Sequence, residues 1–213
     1  MVRWNGRIYE AIAARSAHRP RRDLYHAALT VSLDGVTTSI EMGPVWNIPD
    51  ADRGVVGTGP VGSPLLGRVG MFRYEIRCWP GGRIPDLDYA VDSFQVSADR
   101  ARATRVLELT REVPLATWGR DEQRAGEMWN SNSMVSWLLS RSGHDLTRVQ
   151  PPARGRAPGW DAGLVVAAQA TSASPRGTES GGSRLGRTPR TSLRLMLSRS
   201  REGTSDGQHK EKS

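Results

Sequence analysis

With 213 residues, 37% of them hydrophobic, and a single cysteine, the chain has material for one domain with a core plus a tail. It lacks the residues for an intramolecular disulfide framework or a cysteine metal site. The formal net charge of +8 invites a nucleic-acid reading, but no basic helix, zinc spacing or aromatic-rich strand signature goes with it.

Residues 1–23 form an N-terminal segment in which Gly6 to Ala17 predicts a short helix, with Ile8, Ile12 and Ala13 on one side and the Arg/Pro cluster at its end. An α+β domain is expected over residues 24–168. His26 to Leu33 alternates with period two, setting Ala27, Leu29, Val31 and Leu33 against His26, Ala28, Thr30 and Ser32. Asp34-Gly35 is a strong hairpin signal, and Val36 to Met42 supplies the returning strand. A two-residue turn pairs Leu33 with Val36, Val31 with Thr38 and Leu29 with Ile40, and makes His26 and Glu41 diagonal neighbours on the more polar face.

Pro44 to Gly67 reads as a long Gly/Pro-rich loop, and its Gly57-Thr58-Gly59-Pro60 lacks the Lys and Ser/Thr of a phosphate-binding loop. Met71 to Trp79 predicts a third strand with Phe72, Tyr74, Ile76 and Cys78 on the core face, where Cys78 is a small buried hydrophobe. Ser97 is the expected cap of a helix running to about Glu112, ended by Pro114. A second helix follows the Asn130 to Ser133 turn and stops at Gly143. After Pro158-Gly159-Trp160, the short apolar run Gly163 to Ala168 suits a buried strand.

Residues 169–213 carry nine Lys/Arg and four Asp/Glu, leaving 21 against 18 on residues 1–168, so most of the positive excess lies at the end of the chain. With few large apolar residues, this stretch is expected to be a disordered basic tail capable of weak, salt-sensitive contact with polyanions. No apolar run approaches a membrane span and no secretory leader follows Met1, so a cytoplasmic protein is expected.

The run Met128-Trp129-Asn130-Ser131-Asn132-Ser133-Met134 places hydroxyls where a helix begins. Unpaired N–H groups and the helix dipole favour negative charge there, and Asn and Ser are also ordinary caps. A histidine opening a strand, two further strands, and a later helix beginning Asn-Ser-x-x-Met-Val together resemble the circularly permuted papain-like superfamily. That group includes lecithin:retinol acyltransferase-like proteins and permuted NlpC-type amidases. The blocks Tyr-His-Ala-Ala-Leu, Ile-Glu-Met-Gly-Pro, Phe-Arg-Tyr-Glu, Met-Trp-Asn-Ser-Asn-Ser and Ala-Pro-Gly-Trp-Asp-Ala-Gly also resemble an actinobacterial family, a likeness that implies no activity.

The superfamily resemblance implies a small antiparallel sheet packed on helices, with His26 at the histidine position and Ser131 where the family has its cysteine. A serine hydroxyl needs a well-placed base, so this departure implies a degenerate domain that binds a small acyl or peptide ligand or a protein partner. The alternative is a slow serine hydrolase or acyltransferase: Ser131 attacks, His26 takes the proton and Glu41 orients the imidazole. In that scheme the N–H groups of Asn132 to Met134 hold the oxyanion, and Trp129, Asn130, Asn132 and Ser133 are candidate ligand contacts. No cofactor or metal is expected.

Overall fold

The computed structural model describes residues 23–45, 53–82, 90–147, 149, 155–173 and 191–199. They form an α+β fold, a seven-stranded sheet with three α-helices. The first hairpin joins β1 (Asp23–Leu33) to β2 (Val36–Pro44) in the expected register, Leu33 against Val36 and Leu29 against Ile40. Its turn places Asp34 and Gly35 at φ of 52° and 83°, the left-handed pair that matches the twist of the flanking strands. β3 (Val55–Pro60), β4 (Arg73–Pro80), β5 (Ala90–Ser97), β6 (Gly155–Arg156) and β7 (Ser192–Arg199) complete the sheet, in the order β3-β4-β2-β1-β7-β5. All these pairings are antiparallel except that of β6, which lies parallel to the start of β1.

Three features correct the sequence expectations. The tail is not wholly outside the fold, because β7 inserts beside β1 near the middle of the sheet. Its Leu193, Leu195 and Leu197 are buried opposite Val31, Leu29 and Ala27, a period-two pattern that an average over 45 residues conceals. Gly163 to Ala168 is not a strand but part of α3 (Trp160–Ala173), since six apolar residues fit either period and only length separates them. The supposed loop contains β3, and its Gly59 takes a place where a Cβ would meet the Tyr74 ring. Of the N-terminal segment 1–23 expected to be helical, residues 1–22 lie outside the described residues, as do 174–190 and 200–213.

The core lies between the helices and one sheet face, on which Ala27, Leu29, Val31, Ile40, Met42, Tyr74 and Ile76 are buried. α1 (Arg100–Leu109) is capped by Asp99, which accepts from the Arg102 N–H at 3.0 Å; the expected cap, Ser97, instead accepts from the Asp99 N–H at 2.9 Å. α2 (Ser131–Arg141) is buried on every side from Ser131 to Leu139. α3 packs on it so closely that a Cβ at Gly163 would strike the Ser133 carbonyl and the Ser136 hydroxyl. Past the end of α2, Ser142 Oγ donates to the Leu138 carbonyl at 2.7 Å and shares a 2.8 Å hydrogen bond with His144 Nδ1. Nε2 of His144 is buried and has no hydrogen-bond partner among the described residues.

Gly163→Ala would normally favour a helix, but here the contacts are backbone and buried hydroxyl. The variant is expected to lose roughly 1–3 kcal/mol in urea unfolding, the usual effect of overpacking. Burial and the nearby Arg102 guanidinium lower the pKa of His144 from its ordinary 6.5, against the opposing Leu139 backbone bond and Asp99. The unfolded chain therefore takes up this proton first, so stability is full above the ordinary value and declines as pH falls toward the folded one. Urea melts across that window are expected to show this decline, and His144→Asn, whose amide can still hydrogen-bond to Ser142, to flatten it.

Candidate functional site

α2 begins at the edge of β1, beyond the last paired residues of β1 and β2. There the side-chain amide of Asn132 takes the place of a neighbouring strand. Its Oδ1 accepts from the Ala27 N–H at 2.8 Å, and its Nδ2 donates to the Tyr25 carbonyl at 3.0 Å and the Pro158 carbonyl at 2.9 Å. The two residues that flank His26 are thus held by the residue that follows Ser131. Ser131 Oγ and His26 Nδ1 share a hydrogen bond of 2.7 Å across 105 positions of sequence. Ser131 is only 3% exposed, whereas His26 is partly exposed.

The turn before α2 is a complete capping box. Asn130 Oδ1 accepts from the N–H groups of Asn132 (2.8 Å) and Ser133 (3.3 Å), while Ser133 Oγ accepts from the Asn130 N–H at 3.0 Å. The Met134 N–H donates to the Asn130 carbonyl at 3.1 Å. This corrects the expected oxyanion site, because the amides of Asn132, Ser133 and Met134 are all engaged by the cap. Among the described residues, the N–H of Ser131 has no acceptor, so Ser131 supplies the one remaining donor at this helix start.

The residues expected to contact a ligand are tied into the fold. Asn130 Nδ2 donates to the Pro158 carbonyl at 2.8 Å, Ser133 Oγ lies 3.3 Å from the Met128 carbonyl, and Trp129 is buried in the core. Sequence reasoning missed the segment that braces this turn. Glu127 accepts from Arg156 Nη2 at 2.6 Å and from the Gly159 N–H at 2.8 Å. Gly159, at φ 84°, fits where a Cβ would meet Met128, Asn130 and Ser133. The signal was present in Ala157-Pro158-Gly159-Trp160, but a turn signal does not say what the turn packs against.

Glu41 lies on the expected polar face, where it accepts from Arg77 Nη1 at 2.6 Å. Arg77 also donates from Nε to Glu75 at 3.1 Å and from Nη2 to the Pro44 carbonyl at 2.9 Å, and Arg53 donates to Glu75 at 2.7 and 2.5 Å. Burial pushes Glu75 up, but the Arg53 and Arg77 guanidiniums outweigh it and hold the carboxyl below the usual carboxylate range. Among the described residues the carboxylate of Glu41 is bound to Arg77, an arrangement that joins β2 to β4. Cys78 is partly buried on β4 and burial pushes its thiol up, so the only cysteine is a poor nucleophile.

No protein-family model, curated protein or solved structure matches the chain. Among the described residues, no group of His, Cys, Asp and Glu is arranged to hold a metal ion, and no helix is long and apolar enough to cross a membrane.

Asn132→Leu would leave the Ala27 N–H and the Tyr25 carbonyl without their partner, at a cost of about 1–3 kcal/mol for each group that stays buried. Asn132→Asp keeps the acceptor and loses the donor. Urea denaturation is expected to rank stability as wild type, then Asp, then Leu.

Proposed function

We propose that Ser131 and His26 are the nucleophile and general base of a hydrolase or acyltransferase acting on an ester or amide, in a permuted papain-like framework with serine at the cysteine position. The observation that carries this reading is the 2.7 Å bond between Oγ and Nδ1. An alcohol is a useful nucleophile at neutral pH only when a base lies within such reach. Its position at a helix start, with the Ser131 N–H available, adds a donor for developing negative charge.

With the imidazole proton on Nε2, the Ser131 hydroxyl donates to Nδ1. Oγ attacks the acyl carbon as its proton passes to Nδ1, and the carbonyl oxygen takes up the negative charge against the Ser131 N–H. Collapse breaks the bond to the leaving amine or alcohol, which carries away the proton from Nδ1. Water, or an acceptor nucleophile, then attacks the acyl-serine with the same histidine removing its proton, and Ser131 is released. One donor does the work usually shared by two or more, and loss of a single oxyanion donor costs about 10²–10³ in rate, so turnover is expected to be slow.

A second reading is supported by the 3% exposure of Ser131 and by the three amides already bound to Asn130. On it the domain is degenerate and keeps the cleft only to bind a small acyl or peptide ligand or a protein partner. A fluorophosphonate probe separates the two. The first reading expects labelling that is abolished in Ser131→Ala and slowed by about 10²-fold or more in His26→Ala, the usual contribution of a general base. Labelling that persists in Ser131→Ala overturns it. Wild-type protein that resists the probe, while the thiol of Ser131→Cys reacts readily with iodoacetamide, favours the degenerate reading.

A further inference from the structure

β3 is an edge strand, and the chain leaves it at Pro60 through two short 3-10 turns, Pro64–Arg68 and Gly70–Phe72. Neither turn buries a residue. Leu65 is 79% exposed, Met71 61%, Val69 53% and Leu66 42%, four large aliphatic side chains turned to water within seven positions. Single exposed apolar residues are ordinary on a protein surface, but four on one short loop are a candidate contact surface.

Three properties favour a lipid surface as the occupant. The loop backbone is in part bonded to itself: the N–H groups of Leu66, Val69 and Phe72 donate to the carbonyls of Ser63, Leu66 and Val69 at 3.2, 3.0 and 2.9 Å, and Pro64 has no N–H. The base is closed by the Val61 N–H, which donates to the Phe72 carbonyl at 2.8 Å. Each such pair lowers the cost of bringing loop backbone to the edge of an apolar phase, where side chains enter and the remaining backbone groups stay at the hydrated headgroups. Second, the exposed set is aliphatic, whereas protein interfaces concentrate their binding energy in Trp, Tyr and Arg. Third, residues 53–73 contain Arg53, Arg68 and Arg73 and no Asp or Glu. Arg53 is bound to Glu75 and Arg73 to Thr58, while Arg68 is exposed between the two pairs of apolar residues. An aliphatic tip with a cation at its middle matches the boundary between acyl chains and anionic headgroups.

We infer that the loop from Ser63 to Phe72 is an interfacial anchor that inserts Leu65, Leu66, Val69 and Met71 into an anionic lipid surface, with Arg68 at the headgroup phosphates. The inference is independent of the chemistry assigned to Ser131. It is tested with the full chain and vesicles of phosphatidylcholine, with and without phosphatidylserine, by co-sedimentation at low and high ionic strength.

Wild type is expected to sediment with both, and more strongly when phosphatidylserine is present. Leu65→Glu with Met71→Glu should reduce vesicle affinity by about tenfold or more at high ionic strength, where contacts from basic residues elsewhere are screened. Arg68→Glu should remove most of the preference for phosphatidylserine. Equal binding by the double variant, or no binding by wild type, overturns the inference. A dimer in light scattering that the double variant converts to monomer, without change in lipid binding, also overturns it and makes a second copy the occupant.

Discussion

The arrangement of the site depends on one side-chain amide. Asn132 closes the free edge of β1 where β2 no longer accompanies it, using one acceptor and one donor on the Ala27 N–H and the Tyr25 carbonyl. These groups are two residues apart on a strand, so they point the same way and accept a planar amide as they would a neighbouring strand. His26 lies between them and projects to the other face from Ala27. Because Ser131 precedes Asn132 on the first turn of α2, the fixed edge contact brings Oγ and Nδ1 together. The 105-residue separation is bridged by a backbone mimic, and the pair itself need contribute little to the placement.

What was legible in the sequence were the features controlled by a few adjacent residues. Asp34-Gly35 fixes a turn and thereby the register of two strands, and Asn130 followed by Ser133 closes a capping box within four positions. What was not legible depended on partners far away in sequence. β3 mixes the strand formers Val55, Val56 and Thr58 with Gly57, Gly59 and Pro60, which read locally as loop; β4 pairs with it, and the Tyr74 ring takes the space at Gly59. β7 is an eight-residue alternation inside a polar stretch, held by β1 on one side and β5 on the other. The close packing of α3 on α2 depends on Gly163, a contact that no local pattern encodes.

The same distinction applies to the site residues. His26 and Ser131 were marked by their residue types at the ends of elements, and these two are joined. Glu41 was chosen by strand register, which gives a face and a distance but not the partners that a neighbouring strand brings. Arg77 on β4 lies directly opposite Glu41 and is 1% exposed, so a guanidinium with little access to water takes the carboxylate. Glu75 and Arg53 extend this into a group of alternating charges, each with a partner, as burial demands.

A helix start has a limited number of free amides, and capping and oxyanion binding compete for them. Here Asn130 takes two through its side chain and one through its carbonyl, which rigidifies the turn and holds Asn132 in line with β1. Freeing those amides would loosen the element that positions Ser131 against His26. The competition bears less on a cysteine, whose thiolate can exist before the substrate arrives and is stabilised by the dipole and an imidazolium. It bears most on a serine, whose charge develops only as the base removes the proton. On the hydrolase reading proposed above, such a turn would keep the proton-transfer half of acyl-transfer chemistry, through the Ser131–His26 bond, and leave the oxyanion half to the Ser131 N–H.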